Sequence, residues 1–300
     1  LILHKKTTPP ELLNHDLIAQ YLEDFVMNCT ELDKYLECPR KFYFEEILRI
    51  PQAPNAHLGL GIAVHEALHD FFHIALTNPD YQVEYLVDFF VKHMKRNEWY
   101  FTPDEFDGLI RKFTGQLPLF FKQHHHLWKD CTQHKLEYYI DRINFEGVPI
   151  NGKIDQVIYQ NGQSFLVDFK SGRGDSSSSI AKLKSPNRGS IGGNYWRQAM
   201  FYKLLLDRDP HQRWQTSRAN IIFLQSNKLE AGVFLNKEYG FTDADLNIIT
   251  QQIVDTYQKI KNHEFDTGCE KPECEWCTYV RQRVVIQQRE KSTFNDIIQP

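Results

Sequence analysis

Gly152-Lys153-Ile154-Asp155 and Val167-Asp168-Phe169-Lys170 flank an Asn161-Gly162 pair. Asn-Gly between two runs of alternating apolar and polar residues is a hairpin signal, so the strand carrying Asp155 folds back beside the strand carrying Asp168 and Lys170. Side chains two apart on a strand share a face, so Asp168 and Lys170 project together. Two carboxylates and one ammonium are therefore expected at one spot. Mg2+ and Mn2+ are hard cations that prefer oxygen ligands, and two carboxylates can hold one while leaving room for water and a phosphate oxygen. A bound ion acidifies its water and neutralises charge developing on phosphate, and an adjacent lysine orients the water or stabilises that charge. The cluster suits hydrolysis of a phosphodiester. Taken alone, Asp-x-Lys is a common tripeptide, and a surface strand with an incidental ion pair is its plainer account.

Working outward, residues 134–145, 149–159 and 164–170 alternate apolar and polar and are predicted as three antiparallel strands, with turns at Gly147 and Asn161-Gly162. Residues 62–77, 81–98 and 104–128 carry amphipathic helical periodicity, and 31–48 reads as a helix broken at Pro39. A helix over 195–207, strands over 218–225 and 230–235, and a helix over 243–262 capped by Thr242 or Asp243 complete the pattern. This is an α/β arrangement. A helical part over 1–130 is expected to precede a nuclease-type core over 131–300 that holds the cysteine-containing segment, the two forming one domain.

Further motifs stand in order along the chain. They are Cys38-Pro39-Arg40-Lys41-Phe42-Tyr43-Phe44, Gly59-Leu60-Gly61 running into His65-Glu66, Leu136-Glu137-Tyr138-Tyr139, and Gln198 with Tyr202. Cys269, Cys274 and Cys277 follow. With Asp155, Asp168 and Lys170, this order resembles the RecB-like branch of the PD-(D/E)xK nucleases, found in RecBCD- and AddAB-type helicase–nucleases and CRISPR-associated exonucleases. The resemblance spans about Asn28 to Val280. It implies a restriction-endonuclease-like core, with a mixed sheet flanked by helices and a helical N-terminal part. It also implies metal-dependent cleavage of DNA, as the exonuclease domain of a repair or recombination helicase–nuclease.

The resemblance assigns roles that the residues alone leave open. His65 and the Phe169 carbonyl become metal ligands beside Asp155 and Asp168, whereas a lone helical histidine is ordinarily packed or solvated. Glu66, about 100° round the helix from His65, is expected to be exposed. Glu137 is either a second-metal or water-positioning carboxylate or an ordinary strand residue. Gln198 and Tyr202, four apart on one helical face, support the site and DNA, or are polar tips of a half-buried helix. Asp155, Asp168, Lys170, Glu137, Gln198 and Tyr202 make up the expected catalytic set.

The net charge of −4 gives no global signal for nucleic acid, so binding must rest on local patches and metal. The Ser- and Gly-rich stretch 171–194 carries Arg173, Lys182, Lys184 and Arg188 against Asp175. It reads as a flexible loop that either grips a phosphate backbone or is merely solvated. Trp196 and Arg197 beyond it are candidates for stacking on or pairing with a single strand. The run His124-His125-His126 is read as solvated.

Six cysteines are present. Cys29 and Cys131 are expected as small buried hydrophobes. Clustered cysteines in a chain without a secretory leader suggest metal rather than disulfides. Cys38, Cys269, Cys274 and Cys277 offer four thiolates, suited to an iron–sulfur cluster or Zn2+, or Cys274 and Cys277 simply sit in a C-terminal turn beside Trp276 with no metal. The resemblance implies a [4Fe–4S] cluster, although relatives usually place a further cysteine after the Cys-x-x-Cys pair and none follows Cys277 here.

No apolar run approaches a membrane span, no leader precedes the motifs, and a cytoplasmic location is expected. The chain starts at Leu1, which suggests excision from a longer polypeptide, and no Walker motif is present, so any ATP motor would be a helicase partner in the same chain or complex. Two other classes stay open: a non-cleaving DNA-binding module of this fold serving a helicase, and an iron–sulfur structural or redox protein.

Overall fold

A computed structural model describes residues 13–284 and 286, apart from 76, 79, 130 and 132. Leu1 and residue 76, inside the span read as helical, lie outside the described residues. The chain forms two compact units, each discontinuous in sequence. One comprises 1–52, 144–150 and 250–300, the other 53–143 and 151–249.

The larger unit is built on a five-stranded sheet in sequential order: β1 (Gln133–Phe145), β2 (Val148–Gln160), β3 (Gln163–Arg173), β4 (Thr216–Gln225) and β5 (Asn236–Gly240). The predicted hairpin is present. Asn161 and Gly162 have φ of 52° and 80°, the two left-handed residues of a tight turn whose twist matches the strands it joins. β2 and β3 pair antiparallel, Gln160 opposite Gln163 through to Gln156 opposite Val167. β3 then runs parallel to β4, with Asp168 opposite Ile221 and Lys170 opposite Phe223, and β5 returns antiparallel. The sheet is therefore mixed, as the resemblance implied.

The parallel β3–β4 pair needs a crossover. It is supplied by two helices, over Ser177–Lys182 and Asn194–Asp207. Three longer helices precede the sheet, over Ala56–Ala75, Glu84–Arg96 and Pro103–His124. Asn55 caps the first of these through the Leu58 amide, and Thr102 and Glu105 form a reciprocal capping box on the third, behind Pro103. Phe71, Phe72, Phe90, Phe113, Phe120, Trp128, Phe165 and Phe169 are buried together between these helices and the sheet. This aromatic core fixes the helix that bears His65 against β3, since burying each such ring is worth on the order of 2 kcal/mol.

In the smaller unit, Asn28 and Glu31 form a capping box on the helix Cys29–Glu37. Cys38 and Pro39 break that helix, and Pro39 opens a short turn, Pro39–Phe42, that continues as the π-helix Tyr43–Ile47. Phe42 stacks on Phe265 at 5.9 Å, Phe44 stacks on Trp276 at 4.7 Å, and the Tyr35 hydroxyl donates to the Glu264 carbonyl at 2.7 Å.

Several expectations are corrected. Residues 230–235 are turn and loop, and the edge strand begins at Asn236. Gly232 takes φ 82°, which breaks the strand geometry there. The helix read over 104–128 ends at His124, followed by a 3-10 turn. His124 is buried rather than solvated, in contact with Phe120. Cys131 is only half-buried, whereas Cys29 is buried as expected. Thr242 caps the helix Asp243–Lys261 by accepting from the Asp245 amide. No described helix is long and apolar enough to cross a membrane.

Candidate active site

The two aspartates meet where the β2–β3 hairpin opens. Asp168 lies on the buried central strand and is 1 % exposed. Asp155 is half-buried on β2, and its carboxylate accepts from the Phe169 amide at 2.8 Å. That bond ties the two strands where the regular register ends. Asp168 Oδ2 stands 2.5 Å from Lys170 Nζ, which also donates to Gln198 Oε1 at 2.7 Å. Gln198 in turn donates from Nε2 to the Tyr202 hydroxyl at 3.1 Å. The ammonium further lies 4.7 Å from the centre of the Tyr195 ring, a cation–π contact the sequence reading missed. Lys170 is thus held on three sides before any substrate arrives.

His65 faces the same point from the helix Ala56–Ala75, with Nδ1 3.4 Å from Asp155 Oδ1. Glu137 reaches it from β1. Its φ of 47° marks a local break in that strand, and its carboxylate pairs with Lys153. One ligand atom each from His65, Glu137 and Asp155 falls within 4.8 Å of the others. Two carboxylate oxygens and an imidazole nitrogen make a donor set that suits Mn2+ or Mg2+. Asp168 is drawn instead toward Lys170. Gly152 lets β2 pass close to the helix Asn194–Asp207, because a Cβ there would meet Leu205 at 2.6 Å.

The charges are coupled. Burial alone would lower the His65 imidazolium, but the Asp155 carboxylate overrides it and lifts the pKa to about 9. Burial would raise Asp155, yet His65 and then Lys170 hold it below the usual carboxylate range. Asp168 goes the other way: burial, with repulsion from Asp155, pushes it up to about 6 against the pull of Lys170. Burial opposes the Lys170 charge, but Asp168 and Asp155 raise its pKa. The two carboxylates are thus in different environments.

The site opens into a cleft of about 670 Å³ lined by residues including His65, Asp155, Glu137, Lys153, His69 and Arg96. Sequence reading missed the cleft wall behind His65. There His93, 4 % exposed, bridges Glu66 at 3.0 Å and Asp70 at 2.8 Å. Glu66 is accordingly half-buried and paired, not exposed as expected. The i, i+4 spacing of Glu66 and Asp70 carried that signal, but its partner sits on the next helix.

The proposed DNA contacts separate. Arg197 is 3 % exposed and donates to the Gly192 carbonyl at 3.1 Å, and Trp196 is fully buried, so neither is a surface for a strand to stack on. Trp196 packs instead under Gly192, where φ of 85° and a 2.9 Å approach to a notional Cβ require glycine. Arg173 pairs with Asp175 at 2.5 Å. Lys182 lies 5.3 Å from the centre of the Tyr195 ring, the ring that Lys170 also approaches. Lys184 and Arg188 are exposed. The stretch is partly ordered by the Ser176-capped helix Ser177–Lys182.

The cysteines converge in the smaller unit. Sγ of Cys38 lies 3.7 Å from Cys277 and 4.0 Å from Cys274, and Cys269 lies 3.9 Å from Cys277.

The family model for the PD-(D/E)XK nuclease superfamily matches residues 26–282. The chain belongs to that superfamily. This nuclease shares its fold with a protein of Eubacterium rectale described as "Putative exonuclease", at TM-score 0.54 and 14% identity over 89% of this chain and 92% of that one. SSO0001 aligns at TM-score 0.30 and 12% identity, over 90% and 94% of the two chains. VC1899 of Vibrio cholerae aligns at 0.23 and 9%, over 79% and 58%. No curated protein matches the chain significantly.

Proposed function

We propose that this nuclease hydrolyses DNA phosphodiesters with Mg2+ or Mn2+, and that it acts from ends as an exonuclease. His65, Glu137 and Asp155, whose ligand atoms lie within 4.8 Å of one another, would hold the ion, with Asp168 and the Phe169 carbonyl joining them as the resemblance implies. The ion would supply an acidified water and neutralise charge on the phosphate. Lys170 is assigned to the attacking water or the phosphate oxygen. Gln198 and Tyr202 keep its ammonium aimed, Gln198 by direct hydrogen bond and Tyr202 through Gln198. Lys182, Lys184 and Arg188 are assigned to the DNA backbone. The observation that carries the reading is the fixed Lys170 ammonium, shared by Asp168 and Gln198 beside the Asp155–His65 pair. A half-buried lysine held by three neighbours is poised for one geometry, which is what electrostatic stabilisation of a developing charge requires.

A helicase, as the resemblance implies, would deliver strands to such a site in a repair or recombination setting. End-labelled single- and double-stranded DNA incubated with the purified chain tests the reading. Cleavage is expected with Mg2+ or Mn2+, releasing short products from ends, and none after chelation. Chelator-resistant cleavage would overturn the metal role, and nicking of covalently closed circles at the same rate would overturn the preference for ends.

A further inference from the structure

Four thiolates can meet around metal in two ways that differ in size. Around a single tetrahedral ion, with metal–sulfur bonds of about 2.3 Å, neighbouring sulfurs are about 3.8 Å apart. In a [4Fe–4S] cluster each thiolate takes a different iron of a cube, and the sulfurs spread to roughly 6 Å. Of the six separations, three are 3.7, 3.9 and 4.0 Å, and none exceeds 4.8 Å. They match the first arrangement and leave no room for the second.

The surroundings agree. Cys38 and Cys277 are fully buried, Cys269 and Cys274 half-buried. The Cys269 amide donates to Cys38 Sγ at 3.4 Å, as expected where a sulfur carries negative charge. Gly268 is held against the group: a Cβ there would come within 2.4 Å of Cys277 Sγ and 2.7 Å of Arg40 Nη1. Arg40 itself is 7 % exposed, fixed by Glu270 at 2.6 Å and the Asp266 carbonyl at 3.0 Å. A divalent ion with four thiolates carries net charge of −2, and a buried guanidinium beside it offsets part of that. The Cys274-x-x-Cys277 spacing is itself that of a structural zinc loop.

We infer that Cys38, Cys269, Cys274 and Cys277 bind one Zn2+ in a closed tetrahedral site, in place of the [4Fe–4S] cluster that the family resemblance implies. With four protein ligands the ion keeps no open position, so its role is to clamp the segment before Pro39 to the segment around Trp276. Cys38 and Cys269 are 231 residues apart in sequence, and such a closure removes much freedom from the unfolded chain. The inference does not depend on the nuclease chemistry.

The test is metal analysis of the whole chain, produced in medium containing both iron and zinc and purified without oxygen. About one zinc per chain is expected, with no acid-labile sulfide and no broad visible absorption. Exchange with Co2+ should give the intense visible bands of tetrahedral cobalt–thiolate. Cys274→Ser should lose zinc. Iron with labile sulfide overturns the inference, as does metal-free protein, or zinc retained by Cys274→Ser. If that variant fails to fold, the cobalt spectrum of the unaltered chain decides: octahedral or absent bands overturn the assignment.

Discussion

The aspartate site and the thiolate site both gather charged ligands, yet they are built oppositely. The first uses oxygen and imidazole, opens into a cleft, and carries its own counter-charges in Lys170 and His65. The second uses sulfur, has two ligands with no exposure, and leans on Arg40 and the Cys269 amide. An open site made of hard ligands can exchange ions and admit substrate. A closed site made of soft ligands admits no substrate, and its binding energy goes into folding. The contrast teaches that metal-ligating potential alone does not mark chemistry. What marks it here is an open cleft and a lysine whose position is fixed by its neighbours.

The largest expected effect tests that contrast directly. Asp168→Asn should lower cleavage by about a thousand-fold while the thermal midpoint stays close to that of the unaltered protein. Cys274→Ser should do the reverse. Its midpoint should fall by roughly 5 °C or more, with cleavage at low temperature within a few-fold of normal. Parallel melting curves and rates would expose any mixing of the two roles, and a dead but fully stable Cys274→Ser protein would break the comparison.

A smaller effect is expected along the line Lys170–Gln198–Tyr202. Gln198→Ala removes a direct partner of the ammonium and should cost about ten-fold in kcat with little change in KM. Tyr202→Phe removes one hydrogen bond further out and should cost a few-fold at most. Equal losses in the two variants would mean that Tyr202 meets the substrate itself.

The smallest effect lies away from both sites and serves as their control. Burial lowers the pKa of His124 to about 4, with repulsion from His126 adding to it. An unfolded histidine binds its proton near 6.5, so the unfolded chain takes up protons first on acidification. The stability from neutral His124 is present above about pH 6.5 and is lost as the pH falls toward 4. His124→Gln should flatten the decline of the thermal midpoint between pH 7 and pH 5 without altering cleavage at pH 7.5. An unchanged slope would assign the acid sensitivity to other groups.

Most of the geometry of the candidate site was legible in the sequence, because it is local. Asn161-Gly162 sets the turn, the turn sets the register, and alternation then places Asp155 near Asp168 and Lys170. Gln198 and Tyr202 share a face for the equally local reason of helical period. The His93 bridge between Glu66 and Asp70 was not legible, because it joins two helices whose facing surfaces only the aromatic core aligns. Arg197 misled for the related reason that a charged residue in a polar stretch reads as exposed, while its guanidinium is in fact turned inward to a loop carbonyl.

The sequence by itself determined the hairpin, the Asp-x-Lys pair, the capped helices and the four cysteines as a candidate set. Each follows from interactions a few residues long, with strand alternation, helical period and turn chemistry as the rules. Tertiary structure alone decided that β3 and β4 run parallel, that Arg197 and Trp196 are interior, and that the thiolates close to within 4.8 Å. Those outcomes depend on burial and on contacts between residues far apart in the chain, where many pairings satisfy the local rules and only packing selects one.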